Sequence, residues 1–186
     1  PVDVPGNGGG AGAGIGAPKT SSYVASELIS DLELGNKMLG DYRAVILAGV
    51  GQLPPTQADA LQHFVQQGGT LMLFMGEPVD AQNYNSVLLP RKLIPGPLVK
   101  RMQVAADQKA FVFDFNPKGV NHPLLREFAN QENTGLDTAQ VFTYCQVDPA
   151  AGLQVERVLN YRPGDAPTTR PGNVAAGDPA ITVHSL

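Results

Sequence analysis

Apolar positions gather most tightly in residues 41–90, where two short uninterrupted apolar runs flank a stretch of helical periodicity. The first run, 43–48 (RAVILA), shows no alternation, which is the pattern of a strand covered on both faces, as in a parallel sheet. Gly49 and Gly51 close it. Pro54 and Pro55 suit a first helical turn, and Ala58, Leu61, Phe64 and Val65 recur on one face. The spacing therefore predicts a helix over 55–67, stopped by Gly68 and Gly69. Residues 70–75 (TLMLFM) predict a second buried strand, and 79–89 a second helix with Asp80 as its N-cap. Two apolar strands joined by a helix within about 30 residues make a right-handed crossover, the unit of a doubly wound sheet.

Outside this block the pattern is thinner. Tyr23, Val24, Leu28 and Leu32 lie near helical spacing after Ser21 and Ser22 and predict a short helix over 23–32. Residues 110–113 read as a further buried strand, and 122–128 (HPLLREF) as a short helical segment. Residues 140–147 and 153–160 alternate, and the connecting Asp148-Pro149-Ala150-Ala151-Gly152 suits an antiparallel hairpin. Residues 161–178 read as loop and 180–183 as a last strand. The first 22 residues are glycine-rich and of low complexity, which predicts a flexible segment over 1–22 before a single α/β domain over 23–186. A chain that opens on Pro1 reads as a processed product or a piece of something longer.

Composition narrows the function classes. With 42% hydrophobic and 16% charged residues the chain is globular, and a net charge of −4 excludes a general nucleic-acid binder. Arg91, Lys92, Lys100, Arg101 and Lys109 form a local basic run without interleaved aromatics, which reads as a solvated loop face. Cys145 is the single cysteine, so neither an internal disulfide nor a cysteine-rich zinc site can form. No apolar run approaches the roughly 18 residues that span a bilayer.

In open α/β sheets, ligands bind beyond the carboxyl ends of the strands. Gly49, Gly51, Gly76, Glu77, Asp80 and Tyr84 therefore outline the candidate ligand crevice, with Asn83 beside them. Glu77 and Asp80 are a carboxylate pair suited to acid–base work or to a divalent cation. In the alternative, Asp80 caps its helix and Glu77 faces solvent. Residues 74–78 (FMGEP) supply a sharp strand-to-helix turn but no Ser or Cys nucleophile, and Cys145 falls in an alternating strand as a small core residue. His63 falls away from the apolar stripe, His122 precedes Pro123 at a turn, and His184 lies near the end, with no paired zinc spacing. Gly16 to Thr20 lacks the Gly-Lys-Thr adjacency of a phosphate loop, and no strand precedes Gly12 to Ala17 to aim a dinucleotide loop. The expectation is no catalytic residue, no metal and no cofactor.

Residues 41–76, then Val79-Asp80-Ala81-Gln82-Asn83-Tyr84-Asn85, Asn121-His122-Pro123-Leu124-Leu125 and Gly177-Asp178-Pro179-Ala180 together resemble a class I glutamine amidotransferase-like domain. The resemblance is to the kind found in membrane-anchored BatA / von Willebrand factor A-type bacterial, planctomycete-like proteins. It implies a flavodoxin-like, amidotransferase-like three-layer sandwich with a mostly parallel sheet and a C-terminal β-hairpin addition. It also implies an extracytoplasmic cell-envelope setting, a cytoplasmic one being the alternative, with partners among envelope proteins or other domains of the full-length chain. The chain lacks the first strand of that family and the Gly-rich strand that usually follows Gly-Asp-Pro-Ala. Where the family carries a Gly-x-Cys-x-Gly elbow, Leu73-Phe74-Met75-Gly76-Glu77 has no thiol. The implied function is a non-catalytic interaction or scaffold domain, a pseudoenzyme. The alternative is a small-molecule or carbohydrate-binding enzyme using carboxylates at the strand ends.

Overall fold

The computed structural model describes residues 24–105, 107–131, 134–136, 138–164 and 177–186. The glycine-rich segment 1–22, both glycine motifs within it and residues 165–176 of the expected loop lie outside the described residues. The chain divides into two units, Pro1–Ser30 and Asp31–Leu186.

Of the first unit, residues 24–30 are described and form no helix, with Val24 and Leu28 exposed. The helix expected over 23–32 therefore does not form. A segment shorter than about 12 residues needs a packed face to stay helical, and these apolar side chains have none.

The second unit begins with 3-10 helices at Asp31–Asn36 and Leu39–Asp41, followed by β1 (Ala44–Ala48), α1 (Pro55–Gln66), β2 (Thr70–Phe74) and α2 (Ala81–Val87). Beyond α2 come β3 (Leu98–Gln103), β4 (Phe111–Phe113), 3-10 helices at Pro117–Gly119 and Pro123–Phe128, β5 (Thr143–Val147), β6 (Glu156–Pro163) and β7 (Pro179–Val183). The crossover unit forms, with β1 and β2 parallel, Ile46 opposite Met72 and Ala48 opposite Phe74, but the strands are not covered on both faces as expected, since Ile46, Met72 and Phe74 are exposed. Pro55 opens α1, whose Ala58, Leu61 and Phe64 are buried. Burial of Leu61 and of Phe64 contributes on the order of 1.5–3 kcal/mol each. The helix ends as the Gly-Gly pair dictates. Gly68 turns left-handed at φ 92°, its N–H donates to the Val65 carbonyl, and the Gly69 N–H donates to the Phe64 carbonyl. A Cβ on Gly69 would stand 2.3 Å from the Phe64 ring, so a larger residue there requires the ring to shift.

The three-layer sandwich with a mostly parallel sheet does not form. β1 and β2 make a two-stranded parallel sheet, β3 pairs β5 antiparallel, and β4, β6 and β7 make a three-stranded antiparallel sheet. The cause lies in side-chain character. Of the longer strands, β3 carries exposed Lys100 and Arg101, and β6 carries Arg157, Asn160 and Arg162, unlike the apolar β1 and β2. Such strands suit antiparallel sheets wetted on one side, not a doubly covered parallel one. Residues 100 and 101, expected on a loop face, thus belong to a strand.

The expected C-terminal hairpin is also absent. β5 and β6 face different partners, because residues 148–150 turn back along the Pro95-Gly96-Pro97 segment. There the Asp148 N–H donates to the Pro97 carbonyl and the Ala150 N–H to the Pro95 carbonyl. The approach is so close that a Cβ on Gly96 would overlap the Asp148 carbonyl.

Two apolar regions hold the unit together. Leu53, Leu61, Leu88 and Ile94 are fully buried with Tyr84 around the helices, while Phe115, Leu125 and Leu159 form a separate cluster joined by Phe113, Phe128 and Ile181.

Candidate functional site

The loops after β1 and β2 meet where a ligand would be expected, but they meet each other. Gly49 adopts φ 62°, and a Cβ on Gly76 would stand 3.0 Å from the Gly49 Cα. A Cβ on Gly51 would stand 3.1 Å from the Pro78 carbonyl oxygen. The three glycines thus permit backbone-to-backbone contact. The Gly49 N–H donates to the Phe74 carbonyl at 2.9 Å, and the Asp80 N–H to the Gly51 carbonyl at 2.9 Å.

The side chains of the crevice complete this closure. Asp80 is the N-cap of α2, its Oδ1 accepting from the N–H groups of Gln82 (2.8 Å) and Asn83 (3.2 Å), while Oδ2 accepts from Gln52 Nε2 at 2.8 Å. The Asn83 N–H first, and then the Gln52 amide, hold the Asp80 carboxyl below its ordinary range. Glu77 is exposed, and its backbone carbonyl accepts from the Arg101 guanidinium. The two carboxylates are therefore not arranged alike: one is committed to three donors and the other stands in solvent.

Tyr84 is 2% exposed and donates its hydroxyl to the Val50 carbonyl at 2.7 Å. Burial pushes its hydroxyl up to about 12. On either side of it an asparagine clasps the backbone of a buried leucine. Asn83 Oδ1 accepts from the Leu53 N–H at 2.9 Å and its Nδ2 donates to the Leu53 carbonyl at 3.1 Å. Asn85 does the same for Leu98, at 2.8 Å in both directions. An amide side chain presents a donor and an acceptor side by side, as an adjacent strand would, so each asparagine replaces a missing strand neighbour. The triplet Asn83-Tyr84-Asn85 fastens two separate segments, the loop after β1 and the start of β3, to α2.

The remaining sequence candidates are scattered. His63 is exposed on α1, 3.4 Å from Gln67. His122 caps the Pro123–Phe128 turn through Nδ1, and His184 Nε2 donates to the Lys92 carbonyl at 2.7 Å. Cys145 is half-buried on β5, opposite Arg101 of β3. Among the described residues no group of three His, Cys, Asp or Glu side chains could hold a metal ion. A groove of about 170 Å³ lies elsewhere, lined by Lys37, Leu39, His63, Phe64 and Gln67. It falls below the roughly 300 Å³ at which small-molecule sites begin.

One polar cluster escaped the sequence reading. Asp178 accepts from the Tyr144 hydroxyl at 2.6 Å and from Gln146 Nε2 at 2.8 Å, so the segment leading into β7 is tied to β5 of another sheet. Tyr144 and Gln146 are two residues apart on one strand and hence share a face. Tyr144 also stacks on Tyr161 at 4.1 Å. The Gly-Asp-Pro-Ala motif marked this aspartate, but its partners lie more than 30 positions away.

Comparison with protein-family models, with curated proteins and with solved structures returned no match.

Proposed function

We propose that this chain is a non-catalytic interaction or scaffold domain of a larger cell-envelope protein, with partners among envelope proteins or its own neighbouring domains. The envelope setting rests on the sequence resemblance alone. The interaction role is carried by one observation: α1 lies against β2, yet the alternate positions of the parallel pair remain open. Ile46, Met72 and Phe74 are 58%, 41% and 60% exposed, with Ala44 and Ala48 also exposed beside them. Contiguous apolar surface of this kind marks contact sites. The strand-end loops support the same reading, since Asp80, Asn83 and Tyr84 hydrogen-bond the surrounding loops and, for Asp80, Gln52 as well. Among the described residues no helix is long and apolar enough to cross a membrane.

A photo-crosslinking side chain at position 74, in the full-length protein within its native envelope, tests the role. A protein adduct is expected at position 74, and none from the exposed polar position 66. Absence of an adduct overturns the reading. So does a hydrolytic activity that disappears in Glu77→Gln while the fold is retained.

A further inference from the structure

The parallel pair leaves a strand edge unused. The Thr70 N–H donates to the Arg43 carbonyl and the Gly49 N–H to the Phe74 carbonyl, so the odd-numbered residues of β1 turn their backbone toward β2. The N–H and C=O groups of Ala44, Ile46 and Ala48 therefore point the other way. Among the described residues no strand pairs with that edge and no hydrogen bond reaches those groups. Ala44 and Ala48 are exposed although an alanine has little side chain to show, so the main chain of this edge is accessible. The outer edge of β2 belongs to the half-buried Leu71 and Leu73.

Other edges of the molecule are guarded. β3 carries Lys100 and Arg101 and a register shift after Leu98, and Asn85 occupies both backbone groups of Leu98. β7 opens on Pro179 and pairs irregularly with β6. Charge, proline and irregular pairing are the means by which sheet edges avoid unwanted strands. β1 has none of them: its five residues are apolar and its register with β2 is unbroken.

We propose that the β1 edge is a docking slot for an extended segment of a partner protein, which joins the parallel pair as a third strand. The inference rests on the interaction role proposed above and names the chemistry of the partner. Outward donors and acceptors recur along β1 at about 7 Å, a repeat that an extended backbone matches. A helix satisfies its backbone internally and could cover the apolar face, but it has nothing to offer the edge. The docked strand sets alternate side chains beside Ala44, Ile46 and Ala48. Apolar β-branched or aromatic residues suit these places, since a charge there would be desolvated without a counter-ion.

Photo-crosslinking side chains at positions 44, 46 and 48, placed singly in the full-length protein within its native envelope, test the slot. The three adducts should map to one segment of one partner, displaced by two residues from site to site. A displacement of three or four residues marks a docked helix, and adducts to this chain itself mark self-pairing; either result overturns the proposal. Ala44→Pro combined with Ala48→Pro removes two outward donors while keeping Ile46, Met72 and Phe74, and proline is tolerated on an outer edge. The adduct from position 46 should then fall about tenfold or more, as two lost hydrogen bonds predict. An unchanged yield overturns the slot. An adduct at position 74 with none from 44, 46 or 48 also overturns it but leaves the interaction role standing, whereas no adduct at any of the four removes both. If the proline variant does not fold, the mapped displacement decides the matter alone.

Discussion

Replacing Asn83 or Asn85 with alanine should destabilise the chain far more than half-buried polar residues on a short helix ordinarily do. The side chain of each asparagine satisfies both backbone groups of one leucine, and those leucines, Leu53 and Leu98, are 0% and 3% exposed. Truncation leaves a donor and an acceptor in the interior without partners. Each such group costs about 1–3 kcal/mol, so about 2–6 kcal/mol is expected per variant, less whatever entering water restores. For a chain of this size about 3 kcal/mol lowers the melting temperature by roughly 6–12 °C. Urea unfolding followed by circular dichroism measures it, with Gln66→Ala at an exposed position of α1 as the control. Asn83→Asp is the sharper probe. It keeps the acceptor for the Leu53 N–H but sets an oxygen against the Leu53 carbonyl, so this carboxyl should be harder to ionise when folded. Stability should then be regained as pH falls and lost as it rises through the folded titration. If both alanine variants lie within about 0.5 kcal/mol of the control, as surface substitutions do, the clasp carries no energy and the reasoning fails.

Three further outcomes follow from the same packing. Tyr84 titrates at about 12 against an ordinary 10, so its contribution is complete below pH 10 and is lost as pH rises toward 12. Tyr84→Phe should flatten that alkaline loss in a stability-versus-pH series, at a cost of about 1–2 kcal/mol near neutrality for the unpaired Val50 carbonyl. Asp178→Ala removes the acceptor of Tyr144 and Gln146, and should cost about 2 kcal/mol and raise amide exchange in β7 before the rest of the chain. Gly69→Ala forces a methyl group into the Phe64 ring and a shift at the end of α1. A melting temperature equal to the wild type would show that the ring moves freely.

What the sequence made legible is what short-range chemistry decides. Pro55, the Gly68-Gly69 stop and the Asp80 cap each act within a few positions, and each appears where the pattern places it. The parallel pairing of β1 and β2 follows from their unbroken apolar runs. The sheet as a whole was not legible, because β3 to β7 pair among themselves in two further sheets and none of them joins that pair. Lys100 and Arg101 hid β3 behind a charge pattern that reads equally as loop, and the register shift between Leu98 and Lys100 breaks the alternation that would have marked a strand. The hairpin failed because Asp148-Pro149-Ala150-Ala151-Gly152 finds its hydrogen bonds at Pro95 and Pro97, about 50 positions earlier, which no local turn rule registers. Tyr84 left a usable signal in its spacing to Val87 and Leu88, which marks a buried stripe; Asn83 and Asn85 left none, since their worth depends on Leu53 and Leu98 arriving from elsewhere.

The open face of the parallel pair yields a last prediction that separates two accounts of it. A face built for water would alternate, yet of Ala44, Ile46, Ala48, Thr70, Met72 and Phe74 only Thr70 is polar. Full burial of three large side chains is worth about 1.5–3 kcal/mol each, and roughly half of that is unrealised at the exposures observed. Ile46→Thr and Phe74→Thr keep a strand-compatible residue while removing the apolar area. If the face meets a partner, the isolated chain should lose less than about 1 kcal/mol from either change, because little is buried there to lose. Its light scattering at high concentration should also fall, as the uncovered patch is blunted. If instead the chain covers its own face in solution, either variant should cost about 2 kcal/mol or more in urea unfolding. That result would remove the observation on which the interaction role stands.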